Sequence, residues 1–146
     1  MSWIVFPILS SILWGLFYAV TGEIVKRMSI FSAIAYYSLM LSCIFFAIAY
    51  FNNSIISDWN VLKGDSKALL YILVLALSGA VAYFCLFTGM KMKTSTAIAV
   101  IEVSYPLFTA LFAWVIFKEN HVSFGLIFGG ILIASGILCV VHFDES

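Results

Sequence analysis

Glu102 is the residue in this sequence best placed to do chemistry. It lies inside the apolar run 96–117, one helical turn before Pro106. If that run crosses a bilayer, the carboxyl group sits at a costly depth. Insertion scales put Asp, Lys or Arg at the centre of a spanning helix at about 2.5–3.5 kcal/mol, and other estimates are larger. Such a group must face a cavity or a polar partner rather than hydrocarbon. Sheltered from bulk water, it is a candidate proton carrier or a counter-ion for a cationic substrate. The plainer alternative is a protonated Glu that hydrogen-bonds a neighbouring helix and does nothing more.

Spacing gives Glu102 company. Ser95, Ala99, Glu102, Tyr105, Pro106, Thr109 and Ala113 recur at three- and four-residue steps, so a helix carries them along one stripe. The stripe is small and polar, and it is expected to face the protein interior. Pro106 removes a backbone donor and bends the helix, freeing a carbonyl near Glu102 to line a cavity; a plain packing kink is the alternative. A second stripe runs through Ser10 or Ser11, Trp14, Tyr18 and Thr21, with Gly15 beside it. Tryptophans that only anchor a helix belong at the membrane surface, as Trp3 does on this reading. Trp14 falls mid-run instead, where it and Tyr18 can either line a pocket or pack helices. Tyr36, Tyr37 and Tyr83 are weaker pocket candidates. Glu23 falls close to Lys26 and Arg27 and reads as an interfacial ion pair. His121 and His142 sit at run ends, where solvation accounts for them.

These stripes need helices to carry them, and the composition says which kind. Of 146 residues, 64% are hydrophobic and 10% charged, where soluble domains carry about 25% charged residues. Too little polar side chain is present to coat a water-facing surface. Crossing a hydrocarbon core of about 30 Å takes about 20 apolar residues in a helix. Five runs reach that length, at residues 4–24, 30–51, 68–90, 96–117 and 122–141. Strands of a membrane barrel are about ten residues long and alternate in polarity, which these runs do not. The expected fold is therefore an all-α membrane protein, a bundle of five transmembrane helices forming a single domain over residues 1–146. The first run has no basic residues ahead of it and exceeds a signal-peptide core in length, so it is expected to remain as the first span.

The connectors hold most of the charge. Lys26 and Arg27 follow the first run, and Lys91 and Lys93 follow the third. Lys118, Glu119, Asn120 and His121 form the last turn, and the tail ends Asp144-Glu145-Ser146. The longest connector, residues 52–67, reads as a polar surface loop. With five spans, four Lys and Arg residues fall on one side (Lys26, Arg27, Lys91, Lys93) and three on the other (Lys63, Lys67, Lys118). So even a distribution gives the positive-inside rule little to act on. Insertion in both orientations explains it; so does the small number of charges.

The last run carries Gly125, Gly129, Gly130 and Gly136. Gly125 and Gly129 form a small-xxx-small pair, so these glycines are candidates for a helix interface. Cys43, Cys85 and Cys139 lie in apolar runs and read as packing residues, with no disulfide framework and no metal-ligand spacing. Neither a phosphate-binding glycine loop nor a nucleophile–base set is present, so no enzyme, cofactor or metal is expected. The net charge of zero supplies no basic face for nucleic acid.

The order of these features resembles the EamA-type domain of the drug/metabolite transporter superfamily. The likeness is clearest over residues 94–141. It rests on Ser95-Thr96-Ala97-Ile98-Ala99, Tyr105-Pro106-Leu107-Phe108-Thr109-Ala110-Leu111, Glu119, and the glycines 125, 129, 130 and 136. Trp14-Gly15 and Ala82-Tyr83-Phe84 extend it along essentially the whole chain. The resemblance implies a small-molecule transporter of a prokaryotic plasma membrane. Typical members join two five-helix halves of opposite orientation around a cavity, whereas this chain holds one half. Its expected partners are therefore the lipid bilayer, a small-molecule substrate, and either a second copy, inserted antiparallel, or another half. Glu102 stands outside the general family pattern, so its role rests on its own chemistry. Two rivals remain open: a small multidrug-resistance-like exporter of cations, and a non-transporting subunit of a larger membrane complex.

Overall fold

A computed structural model describes residues 4–118 and 123–144, the latter without the side chain of Asp144. The expectations for Trp3, Glu119, Asn120, His121, Val122, Glu145 and Ser146 lie outside the described residues. The fold is all-α, with no strand among the described residues. Its helices are α1 (Val5–Arg27), α2 (Ile30–Phe51), α3 (Ser54–Gly64), α4 (Ser66–Met92), α5 (Ser95–Glu102), α6 (Tyr105–Phe112) and α7 (Phe124–Asp144). A π-helical segment, Ala113–Phe117, continues α6. Five stretches are long and apolar enough to cross a membrane: α1, α2, α4, the compound stretch Ser95–Phe117, and Phe124–Phe143 in α7.

Local chemistry sets the ends. Pro7 sits in the first turn of α1, where its missing N–H costs no helical bond. Ser29 caps α2 by accepting from the Ser32 N–H at 3.3 Å, and Thr94 caps α5 by accepting from Ala97 at 3.3 Å. Asn53 starts α3 and Lys118 ends the π-helical segment, both left-handed, with φ of 55° and 58°. Asn tolerates that conformation well, and Lys118 uses it to donate its N–H to the last carbonyls.

One expectation is corrected. The connector 52–67 is not a loop: residues Ser54–Gly64 form α3. The fourth span is interrupted where Pro106 predicts a bend, and the break falls at Val103 and Ser104. There Ser104 donates to the Ile101 carbonyl (3.2 Å) and Leu107 to that of Ser104 (3.0 Å), each three residues back rather than four. Pro106 has no N–H to offer the Glu102 carbonyl, so the tighter bonds fill the gap.

The chain groups into two compact units, Met1–Thr21 with Lys93–Ser146, and Gly22–Met92. Within the second, α2 and α4 meet through rings. Phe31 stacks on Phe84 with centroids 5.5 Å apart, and Tyr37 meets Tyr83 edge-on at 5.6 Å. The two tyrosine hydroxyls lie 3.4 Å apart. Within the first, α7 approaches α5 and α6. Gly130 is buried, and a Cβ added there would stand 2.5 Å from Leu107 Cδ2. Gly129 and Gly136 have no atom within 4 Å of such a Cβ, and Gly125 meets only the Ser123 hydroxyl at 3.9 Å. Of the four glycines, Gly130 is the one that lets α6 and α7 close on each other. A Cβ at Gly130 meets only the end of the Leu107 side chain, which can turn aside, so Gly130→Ala should cost no more than about 1 kcal/mol, while Gly136→Ala should not destabilise. Thermal unfolding in detergent checks both. The double variant Gly130→Ala/Leu107→Ala should lose less than the sum of its parts.

Candidate functional site

The first unit brings two separate stripes to one point. The Tyr18 hydroxyl of α1 donates a hydrogen bond to Glu102 Oε2, across 84 positions of sequence. Glu102 is the last residue of α5, directly before the helix break, and is half-buried. Among the described residues the only ion pair is Lys26 with Glu23, so no basic side chain neutralises Glu102. A neutral phenol is its partner. A phenol O–H donates equally well in geometry to a carboxylate oxygen and to the carbonyl oxygen of a carboxylic acid, so it orients the group.

Aromatic rings surround the donor. Trp14 lies one turn before Tyr18, with ring centroids 5.9 Å apart and planes tilted by 34°. Phe17 meets Trp14 edge-on at 5.0 Å and Tyr18 at 5.9 Å. Trp14 is 41% exposed. Thr21, a turn after Tyr18, is buried. The result is a carboxyl group bonded to a phenol that itself packs against an indole.

The break adds backbone polarity. α5 ends and α6 begins within the same span; the N–H groups of Val103, Ser104 and Leu107 stay bonded across the break, and the Glu102 carbonyl loses the donor that Pro106 lacks. Pro106 occupies the first turn of α6, where proline fits. Tyr105 is 64% exposed. Thr109 donates its hydroxyl to the Tyr105 carbonyl at 3.0 Å, a bond within its own helix. Ser95 is half-buried, beside the Thr94 cap. The structure thus joins Glu102, Tyr18 and Trp14, with Pro106 shaping the backbone. No side-chain contact brings Tyr105, Thr109 or Ser95 to the carboxyl group.

The other polar candidates lie in the second unit. Glu23 pairs with Lys26 at 2.6 Å on an exposed surface, as its spacing suggested. Tyr37 and Tyr83 pair with each other, and Tyr36 is exposed. No group of three or more His, Cys, Asp or Glu stands together among the described residues. Cys43, Cys85 and Cys139 are free thiols.

Comparison with known proteins gives one match. The model of the EamA-like transporter family covers residues 1–142. No curated protein and no solved structure matches. The Tyr18–Glu102 bond carries its own test. Tyr18→Phe strips the carboxyl group of its donor, and hydrogen bonds to charged groups contribute about 1.5–3 kcal/mol. A double-mutant cycle with Glu102→Ala, which removes the acceptor, read by thermal unfolding in detergent, should show a coupling of about 1 kcal/mol or more. Additive losses would mean the two side chains do not interact.

Proposed function

The chain belongs to the EamA-like transporter family, and on that premise we propose that it is a secondary transporter of a small molecule, a metabolite, amino acid or drug-like compound, that couples to protons through Glu102. Members of that family are transporters rather than enzymes. The observation that carries the coupling reading is the Tyr18–Glu102 hydrogen bond at a helix break within a span, with no basic partner among the described residues. A proton on Glu102 and a cationic substrate beside it compete for the same negative charge. Binding of one favours loss of the other, which is the requirement for exchange. The Tyr18 hydroxyl holds the carboxyl group in place in either state. On this reading Trp14 lines the substrate path beside Tyr18, and the Glu102 carbonyl, which loses its donor to Pro106, adds a backbone acceptor.

The working unit in this proposal is two five-helix halves, each contributed by one copy of this chain. Alternating access by inverted halves around a midplane site is a recurring transporter plan. The near-even split of Lys and Arg, four against three, suits insertion of two copies in opposite orientations. The membrane in this reading is the plasma membrane of a prokaryote.

The test is flux. Purified chain, alone in liposomes, should move at least one compound from a panel of amines, amino acids and metabolites when a pH gradient is imposed. Glu102→Gln should retain insertion and lose about 10-fold or more of the gradient-driven component, since an isosteric amide carries no titratable proton. Coupled flux unchanged in Glu102→Gln would overturn the proton role. Transport that appears only with a second, different half would overturn the assembly from copies of one chain.

A further inference from the structure

Helix α3 has an angular pattern that its composition conceals. At about 100° per residue, Leu62, Ile55, Trp59, Lys63 and Ile56 share a sector of about 120°. The opposite arc holds Ser54, Ser57, Asp58, Asn60 and Gly64, with Val61 as the apolar exception. Coverage falls across the apolar sector. Leu62 is half-buried, while Trp59 is 56% exposed and Ile56 78% exposed. The Lys63 ammonium lies over the Trp59 ring, 5.2 Å from its centroid, so its stem follows the apolar face while its charge reaches outward.

The neighbours of α3 leave it little freedom. Only Asn52 and Asn53 separate it from α2, and only Asp65 separates it from α4. Both α2 and α4 are long and apolar enough to cross a membrane. Two extended residues reach about 7 Å, so α3 starts and ends at the level where those spans leave the hydrocarbon. Its 11 residues make a rod of about 16 Å, too short to cross the bilayer. Open grooves flank it. One, of about 270 Å³, is lined by Tyr50, Phe51, Asn53, Ile55 and Ile56. Another, of about 380 Å³, runs between α3 and the first turns of α4, past Leu62, Tyr71 and Ile72.

We propose that α3 is an interfacial helix seated in the phospholipid headgroup–acyl boundary, with Ile56 and Trp59 inserted among the acyl chains and the lysine ammonium groups at phosphate level. Asp58 and Asp65 balance Lys63 and Lys67, so apolar burial rather than net charge drives the seating, and zwitterionic lipid suffices. The helix then fixes the depth of the α2–α4 connection in the bilayer.

Spin labels test the proposal in the full chain reconstituted in phosphatidylcholine vesicles. Single cysteines replace Ile56, Ser57, Trp59 and Asn60 in turn, with Cys43, Cys85 and Cys139 changed to Ser. Labels at 56 and 59 should show several-fold higher accessibility to oxygen, relative to a water-soluble nickel chelate, than labels at 57 and 60. Equal ratios at the four sites would overturn the proposal. Exclusion of both reagents at 56 and 59, with spin–spin broadening, would overturn it in favour of a second copy covering the face. A second measurement needs no cysteine: brominated phosphatidylcholine should quench a component of tryptophan emission that Trp59→Phe removes. Quenching unchanged by Trp59→Phe would overturn the seating as well.

Discussion

A carboxyl group inside hydrocarbon requires a donor, and here the donor is the Tyr18 hydroxyl. The surrounding structure serves that bond. The Thr94 cap starts α5 at a defined residue, and α5 then carries Glu102 to its last position. The break that follows keeps α6 from continuing the same hydrogen-bond ladder, and Pro106 makes the break inexpensive by sitting in the first turn of the next helix. Gly130 lets α7 close on Leu107 behind the break. Each of these features has a local cause, and together they hold one acidic group beside a phenol, with no basic partner among the described residues.

Among the described residues Glu102 has no basic partner. A buried Lys–Glu or Arg–Glu pair is strongly coupled, and breaking it costs several kcal/mol. A phenol carries no charge and bonds more weakly, and the proposed exchange of a proton for a cation relies on that difference. In both units large apolar side chains are exposed, Phe31, Phe45 and Leu75 in one and Phe128 in the other. In water such a surface would aggregate; with lipid as solvent it is the ordinary exterior of a span.

The spans were legible because length in an apolar run is set directly by bilayer thickness, and the helices fall where the runs do. Both members of the Tyr18–Glu102 pair stood out, each on its own helical stripe. Their meeting was not legible, because periodicity assigns a face to a helix and not a neighbour to a face. The same limit applies to the glycines: spacing placed all of them on a possible interface, and only Gly130 has a close neighbour in another helix of the chain. Helix α3 was missed because Asp58, Lys63 and Asp65 make residues 52–67 polar on average, whereas the helix arises from the angular placement of Ile55, Trp59 and Leu62. Pro106 announced a bend, but the position of the break, at Val103 and Ser104, depends on three-residue hydrogen bonds that no residue type signals.

The central claim is that the Glu102 carboxyl group exchanges protons with the aqueous phase while Tyr18 holds it. Infrared difference spectroscopy of the reconstituted chain across a pH step reads this directly. The account predicts a protonated-carboxyl band that grows as pH falls, vanishes in Glu102→Gln, and moves in frequency in Tyr18→Phe. A spectrum with no carboxyl change assignable to Glu102, or one indifferent to Tyr18→Phe, would contradict it.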